Sequence, residues 1–115
     1  MNAQTPENAL DRQVALARVG GDLELLREIA ALFLEECPRA FAEIQVAVAR
    51  GDAAKLENAA HALKGSVANF GARNAVEAAF RLEQMGRSHE MSYAEQMLRK
   101  LESALSAVCA ELAAL

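Results

Sequence analysis

The chain has no tryptophan, one tyrosine and two prolines among its 115 residues. An alanine-rich sequence so short of aromatic side chains favours helices over sheet, since strands draw on aromatic and β-branched residues. A basic excess is missing as well: the Lys and Arg total of 12 stands against 16 Asp and Glu, a net charge of −4. Nucleic-acid binders ordinarily carry a basic stripe, so no nucleic-acid partner is expected. The two cysteines, Cys37 and Cys109, fall in amphipathic helical patterns, where a free thiol behaves as a small buried hydrophobe. That suits a reduced, cytoplasmic compartment. Neither cysteine forms a zinc-like spacing with the two histidines, His61 and His89, so no metal or other resident cofactor is expected. No apolar run is long enough to span a membrane, and the start, Met-Asn-Ala-Gln-Thr-Pro-Glu, lacks the features of a signal peptide. No membrane association is expected, and any sensing of the outside falls to another protein.

What is present is helical periodicity. The length suits one domain spanning residues 1–115, and 53% hydrophobic residues supply an ample core. Five helical segments are expected, at about 11–19, 22–50, 52–70, 72–86 and 92–115, with Thr5-Pro6 as a rival start for the first. Gly20-Gly21 ends the first segment and Asp22 can cap the second. Its apolar stripe runs through Leu26, Ile29, Ala30, Phe33, Cys37, Phe41, Ile44 and Val48. The stripe keeps its phase across Pro38, which predicts one helix, bent there. Gly51 stops it and Asp52 caps the next, Gly71 separates the third from the fourth, and Gly86 closes the fourth. Ser92-Tyr93-Ala94-Glu95 has the form of a capping box for the last. Short connections between long amphipathic helices make antiparallel neighbours. The expected architecture is all-α, an up-and-down antiparallel four-helix bundle with a short N-terminal helix packed across one end.

The chemistry concentrates on the third segment. At about 100° per residue, Leu56, Leu63, Val67 and Phe70 fall within an arc of roughly 60°, while His61 projects about 150° from its centre. The imidazole should meet solvent or a partner. A solvated helix face is usually filled with long charged side chains, but here the strip around His61 is small: Ala54, Gly65 and Ala68, with Glu57 and Asn58 one turn back and Lys64 one turn on. A mid-helix glycine costs about 1 kcal/mol relative to alanine, so Gly65 wants a reason, and close approach of another molecule supplies one. Lys64 can bring its ammonium beside the ring. That matters most if the ring carries a phosphoryl group, with its roughly −1.5 to −2 charges.

The run His61-Ala62-Leu63-Lys64-Gly65-Ser66, followed by Asn69-Phe70-Gly71-Ala72, resembles the signature of histidine-containing phosphotransfer (HPt) domains. The resemblance extends to Gly20-Gly21-Asp22 with Leu25-Leu26, Phe33-Leu34, Gly51-Asp52 and Leu82-Glu83, nearly the whole chain. It implies a phosphohistidine carrier without its own ATP site. His61 Nε2 would take a phosphoryl group from a receiver-domain aspartate and pass it to another receiver. The implied partners are response-regulator receiver domains and a hybrid histidine kinase, with Mg²⁺ supplied by the receiver and this chain acting as a monomer. Lys64 would neutralise phosphoryl charge, and Gly65, Ala54, Ala68, Asn58 and Glu57 would form the docking strip. No internal base is required, because an exposed imidazole is mostly neutral at pH 7.

Glu83 breaks its local pattern by sharing the apolar arc of Val76, Ala79 and Phe80, away from Arg73, Glu77, Arg81 and Gln84. A buried carboxylate wants a partner. The resemblance implies that it accepts Nδ1–H of His61, which fixes the tautomer and leaves Nε2 as the lone-pair nitrogen. Reaching out to an arginine at the core edge is an equal alternative.

Two other functions stay open. Ser88-His89-Glu90-Met91 superficially resembles the start of a histidine-kinase dimerisation helix, but the match stops there, in an interhelical connection. A helical adaptor could also seat a partner helix on the small strip with no chemistry at His61. Ser66 has no nucleophile elbow or triad around it. The initiating Met and a tail ending within the last helix favour a stand-alone chain over a piece of a hybrid kinase.

Overall fold

In the computed structural model, which describes residues 9–115, five helices follow one another: α1 Arg12–Arg18, α2 Leu23–Arg50, α3 Ala53–Ala68, α4 Arg73–Ser88 and α5 Ala94–Ala113. No strand occurs among the described residues. Aspartate begins the first three helices. Asp11 accepts from the amides of Gln13 and Val14, Asp22 from Leu25 and Asp52 from Lys55, each satisfying donors that have no partner within the first turn. α2 runs through Pro38 as one helix, as its in-phase stripe requires. The Thr5-Pro6 start lies outside the described residues.

The four long helices form an up-and-down antiparallel bundle in which α3 packs on α2 and α4, and α5 on α4 and α2. Leu26, Ile44, Leu56, Val67, Phe70, Leu82, Leu101 and Val108 are its largest fully buried side chains. Phe33 and Phe70 meet edge to face at 5.4 Å, a favourable arrangement of ring quadrupoles. α1 lies across one end. The Asp11 amide donates to the Phe70 carbonyl at 3.0 Å, and the Ala9 amide to Glu111 at 2.6 Å. Gly71, at φ +62°, makes that junction possible, because a Cβ there would lie 2.7 Å from Asp11 Cβ.

Two helix ends differ from expectation. Gly86 does not end α4, which continues to Ser88 and is capped by His89 in the left-handed region. A Cβ at Gly86 would lie 2.6 Å from both the Ala53 carbonyl oxygen and the Glu57 nitrogen. Gly86 therefore sets how closely α4 approaches α3. The capping box at Ser92 does not form either. The Ser92 hydroxyl turns back to donate to Glu90 Oε1 at 2.7 Å, and α5 starts after Tyr93 with no side-chain cap.

Candidate functional site

Close α3–α4 packing places an imidazole and two cationic side chains around one buried carboxylate. Glu83 is 3% exposed, the one polar or charged residue that is buried among the described residues. Its Oε2 lies 2.9 Å from His61 Nδ1 and 3.2 Å from Arg87 Nη2, and its Oε1 lies 2.7 Å from Lys64 Nζ. Arg87 Nε in turn donates to Glu57 Oε2 at 2.9 Å, joining α4 back to α3. Burial alone would raise the Glu83 pKa, but Lys64 and then His61 outweigh it and hold the carboxyl below its ordinary value. Glu83 therefore remains an anion, and an anion at Nδ1 makes that nitrogen the proton-bearing one. The His61 side chain is 66% exposed. The nitrogen left for chemistry is Nε2.

The two alternatives for Glu83 meet in one arrangement, since it contacts the histidine and an arginine together. Lys64 ion-pairs with Glu83 and also lies over the Phe80 ring, 5.1 Å from its centroid. Helical phase puts Phe80 in the apolar arc, and it is instead 40% exposed, an apolar surface under the Lys64 ammonium. Gly65 is exposed, and a Cβ there would meet nothing within 4 Å. Ala54 and Asn58 are exposed along the same helix, and Ala68 is half-buried. Glu57 faces the site as well, but engaged with Arg87. Arg87 escaped the sequence reading, although its i,i+4 spacing from Glu83 was a usable signal. Ser66 Oγ donates to the Ala62 carbonyl at 3.3 Å, a bond within its own helix. His89 sits in the turn after α4 at φ 58°, whereas a dimerisation-helix histidine would lie within a helix. No cluster of three or more His, Cys, Asp or Glu side chains suited to a metal ion occurs among the described residues.

The family model described as the Hpt domain matches residues 28–111. The chain belongs to the Hpt domain family. Members of that family are phosphotransfer carriers of phosphorelays rather than enzymes with ATP sites, and they interact with receiver domains and histidine kinases. Among solved structures, the chain is similar to histidine-containing phosphotransfer protein B (HptB) from Pseudomonas aeruginosa PAO1. The TM-score is 0.84 at 22% identity, over 94% of this chain and 92% of the other. That likeness is one of fold. No curated protein matches the sequence. No helix among the described residues of this Hpt domain is long and apolar enough to cross a membrane.

Proposed function

We propose that the protein is a phosphohistidine carrier in which His61 Nε2 accepts a phosphoryl group from an aspartyl phosphate of one receiver domain and hands it to an aspartate of a second. The observation that carries this reading is an exposed imidazole whose Nδ1 is held by a buried anion. In the forward step the Nε2 lone pair attacks phosphorus, the N–P bond forms, and the aspartyl O–P bond breaks with its electron pair returning to the carboxylate. The ring gains positive charge as it attacks, and Glu83, already at Nδ1, stabilises that charge without rearrangement. In the second step the N–P bond breaks and its pair returns to Nε2.

Lys64 supplies the cation for the phosphoryl oxygens. It starts on Glu83 and shifts toward the phosphoryl group, while Arg87 and the ring N–H remain as partners for the carboxylate. Gly65, Ala54, Asn58 and Ala68 offer a low surface for the receiver's loops, with Phe80 as an apolar contact beside it. The acidic pocket and Mg²⁺ needed for in-line transfer belong to the receiver. The carrier acts as a cytoplasmic monomer.

The test is incubation with a panel of phosphorylated receiver domains, followed by mass spectrometry under non-acidic conditions. His61 should gain an acid-labile phosphoryl group, and His61→Gln should gain none while keeping its helical circular dichroism. Labelling at His89 in that variant, or no labelling of the parent by any receiver, defeats the proposal. The latter outcome would leave the adaptor reading.

A further inference from the structure

Cys37 of α2 and Cys109 of α5 take no part in the site around His61, yet the fold brings them together from 72 residues apart. Their sulfurs are 3.9 Å from one another, with Cys109 Sγ placed to donate to Cys37 Sγ, and both are free thiols. They line a groove of about 370 Å³ between the two helices, along with Leu34, Pro38, Phe41 and Leu105. Cys37 is 5% exposed. Cys109 is only half-buried, so of the two residues it is the one more open to solvent.

We propose that this pair is a modification site, at which a hydroperoxide converts Cys37 and Cys109 into a reversible disulfide tying α2 to α5. Cys109, the accessible thiol, loses its proton and attacks the peroxide O–O bond. This forms a sulfenic acid and releases water from hydrogen peroxide, or an alcohol from an organic peroxide. Cys37 sulfur then attacks Cys109 sulfur. The S–S bond forms, hydroxide leaves, and the Cys37 proton joins it as water. Two thiols are oxidised by two electrons and one peroxide is reduced.

The surroundings favour the second step over further oxidation of Cys109. Moving from contact to a bonded S–S distance requires the sulfurs to close by about 2 Å, and both helices have slack there. Pro38 has no amide to offer the carbonyl of Leu34 in the same groove, so α2 lacks one helical hydrogen bond beside Cys37. Cys109 lies close to the end of α5 at Ala113, where helices open most readily. Burial, then the neighbouring Cys109, push the Cys37 thiol up to about 12. Cys37 is therefore not the thiol that meets peroxide first, since the thiolate is the nucleophile. The loop closed by the bond contains all of α3 and α4, so the cross-link restricts the unfolded chain and stabilises the folded one.

The experiment exposes the full chain to a small excess of hydrogen peroxide and follows intact mass, thiol alkylation and thermal unfolding. The expected product is a monomer lighter by both thiol hydrogens, with neither cysteine alkylated and a Cys37–Cys109 peptide on mapping. Its Tm should rise by roughly 5–20 °C, and dithiothreitol should restore mass, alkylation and Tm together. Cys109→Ser and Cys37→Ala, each compared with itself before and after peroxide, should show no such rise. An oxygen adduct on Cys109 with Cys37 still alkylated, or a covalent dimer, overturns the proposal. So does a chain with both thiols free under conditions that oxidise glutathione.

Discussion

Lys64 and Gly65 are neighbours to which the proposed carrier function gives separate roles, and substitution at each tests a different part of the site. The ammonium of Lys64 rests 2.7 Å from Glu83 Oε1. The phosphoryl charge exists only after transfer. Lys64→Ala should therefore slow phosphoryl acceptance by about tenfold, near 1.4 kcal/mol of barrier, and shorten the life of the phosphohistidine. Binding of an unphosphorylated receiver should change much less. Single-turnover transfer compared with calorimetric binding decides it, and equal losses in both would make Lys64 a plain docking residue. Gly65 has open space where a Cβ would go, so Gly65→Ala should raise stability by up to about 1 kcal/mol. Gly65→Gln should also fold well. If the low surface admits a receiver's loops, the Gln variant will accept phosphate far more slowly, since a displacement of about 1 Å can cost a hundredfold in rate. A stable and fully active Gln variant would sink the docking-strip argument.

At the scale of elements, the decisive contact is the crossing of α3 and α4. Gly86 lies against backbone atoms of Ala53 and Glu57, and backbone cannot step aside as a flexible side chain can. Gly86→Ala should destabilise the protein by about 2–3 kcal/mol as α4 is pushed outward, measured as a lower urea midpoint. The same displacement moves Glu83 of α4 away from His61 of α3, so transfer should slow even where the variant remains folded. Normal stability and normal transfer would mean that the helices slide freely to make room. Helix ends also show which local signals are robust. Asp22 and Asp52 cap α2 and α3 as their positions predict, and Asp11 does the same for α1, because nothing else competes for their side chains. Ser92 fails because Glu90 offers its hydroxyl a carboxylate at 2.7 Å, and a charged acceptor outcompetes the cap.

For the whole molecule, the Glu83 network makes stability depend on pH with a definite sign. Burial raises the Glu83 pKa, but the contacts of Lys64 and His61 lower it by more, leaving the folded value below the ordinary 4.5. As pH falls, the unfolded chain takes up the proton on Glu83 first. The network's contribution is therefore complete above the ordinary glutamate value and is lost as pH falls through the depressed folded one. The Tm difference between the parent and Glu83→Gln should be largest near neutrality and shrink as pH falls below the ordinary glutamate value. A difference that stays constant across that range would mean that the carboxylate's charge adds nothing to stability.

Much of this was written into the sequence locally. Apolar residues recurring along α2, α3 and α5 fix the faces that must be buried, and glycines and aspartates punctuate the chain between helices. An up-and-down bundle follows from that periodicity and the short connections, as does the outward direction of His61. The His61-to-Gly65 run was legible for the same reason, being contained in little more than one helical turn. Tertiary structure decided what periodicity cannot carry, namely distances between helices. Only the approach permitted by Gly86 brings Glu83 to His61 and Lys64 together and lets Arg87 span Glu83 and Glu57. Phe80 comes to the surface under Lys64, although helical phase alone placed it inward, because phase gives an angle about one axis and not the position of the neighbouring helix. Cys37 and Cys109 likewise looked like two unrelated core thiols until α2 and α5 packed side by side. Sequence pattern specifies the helices and the outward-facing histidine, while helix–helix distance makes the charged network and the thiol pair.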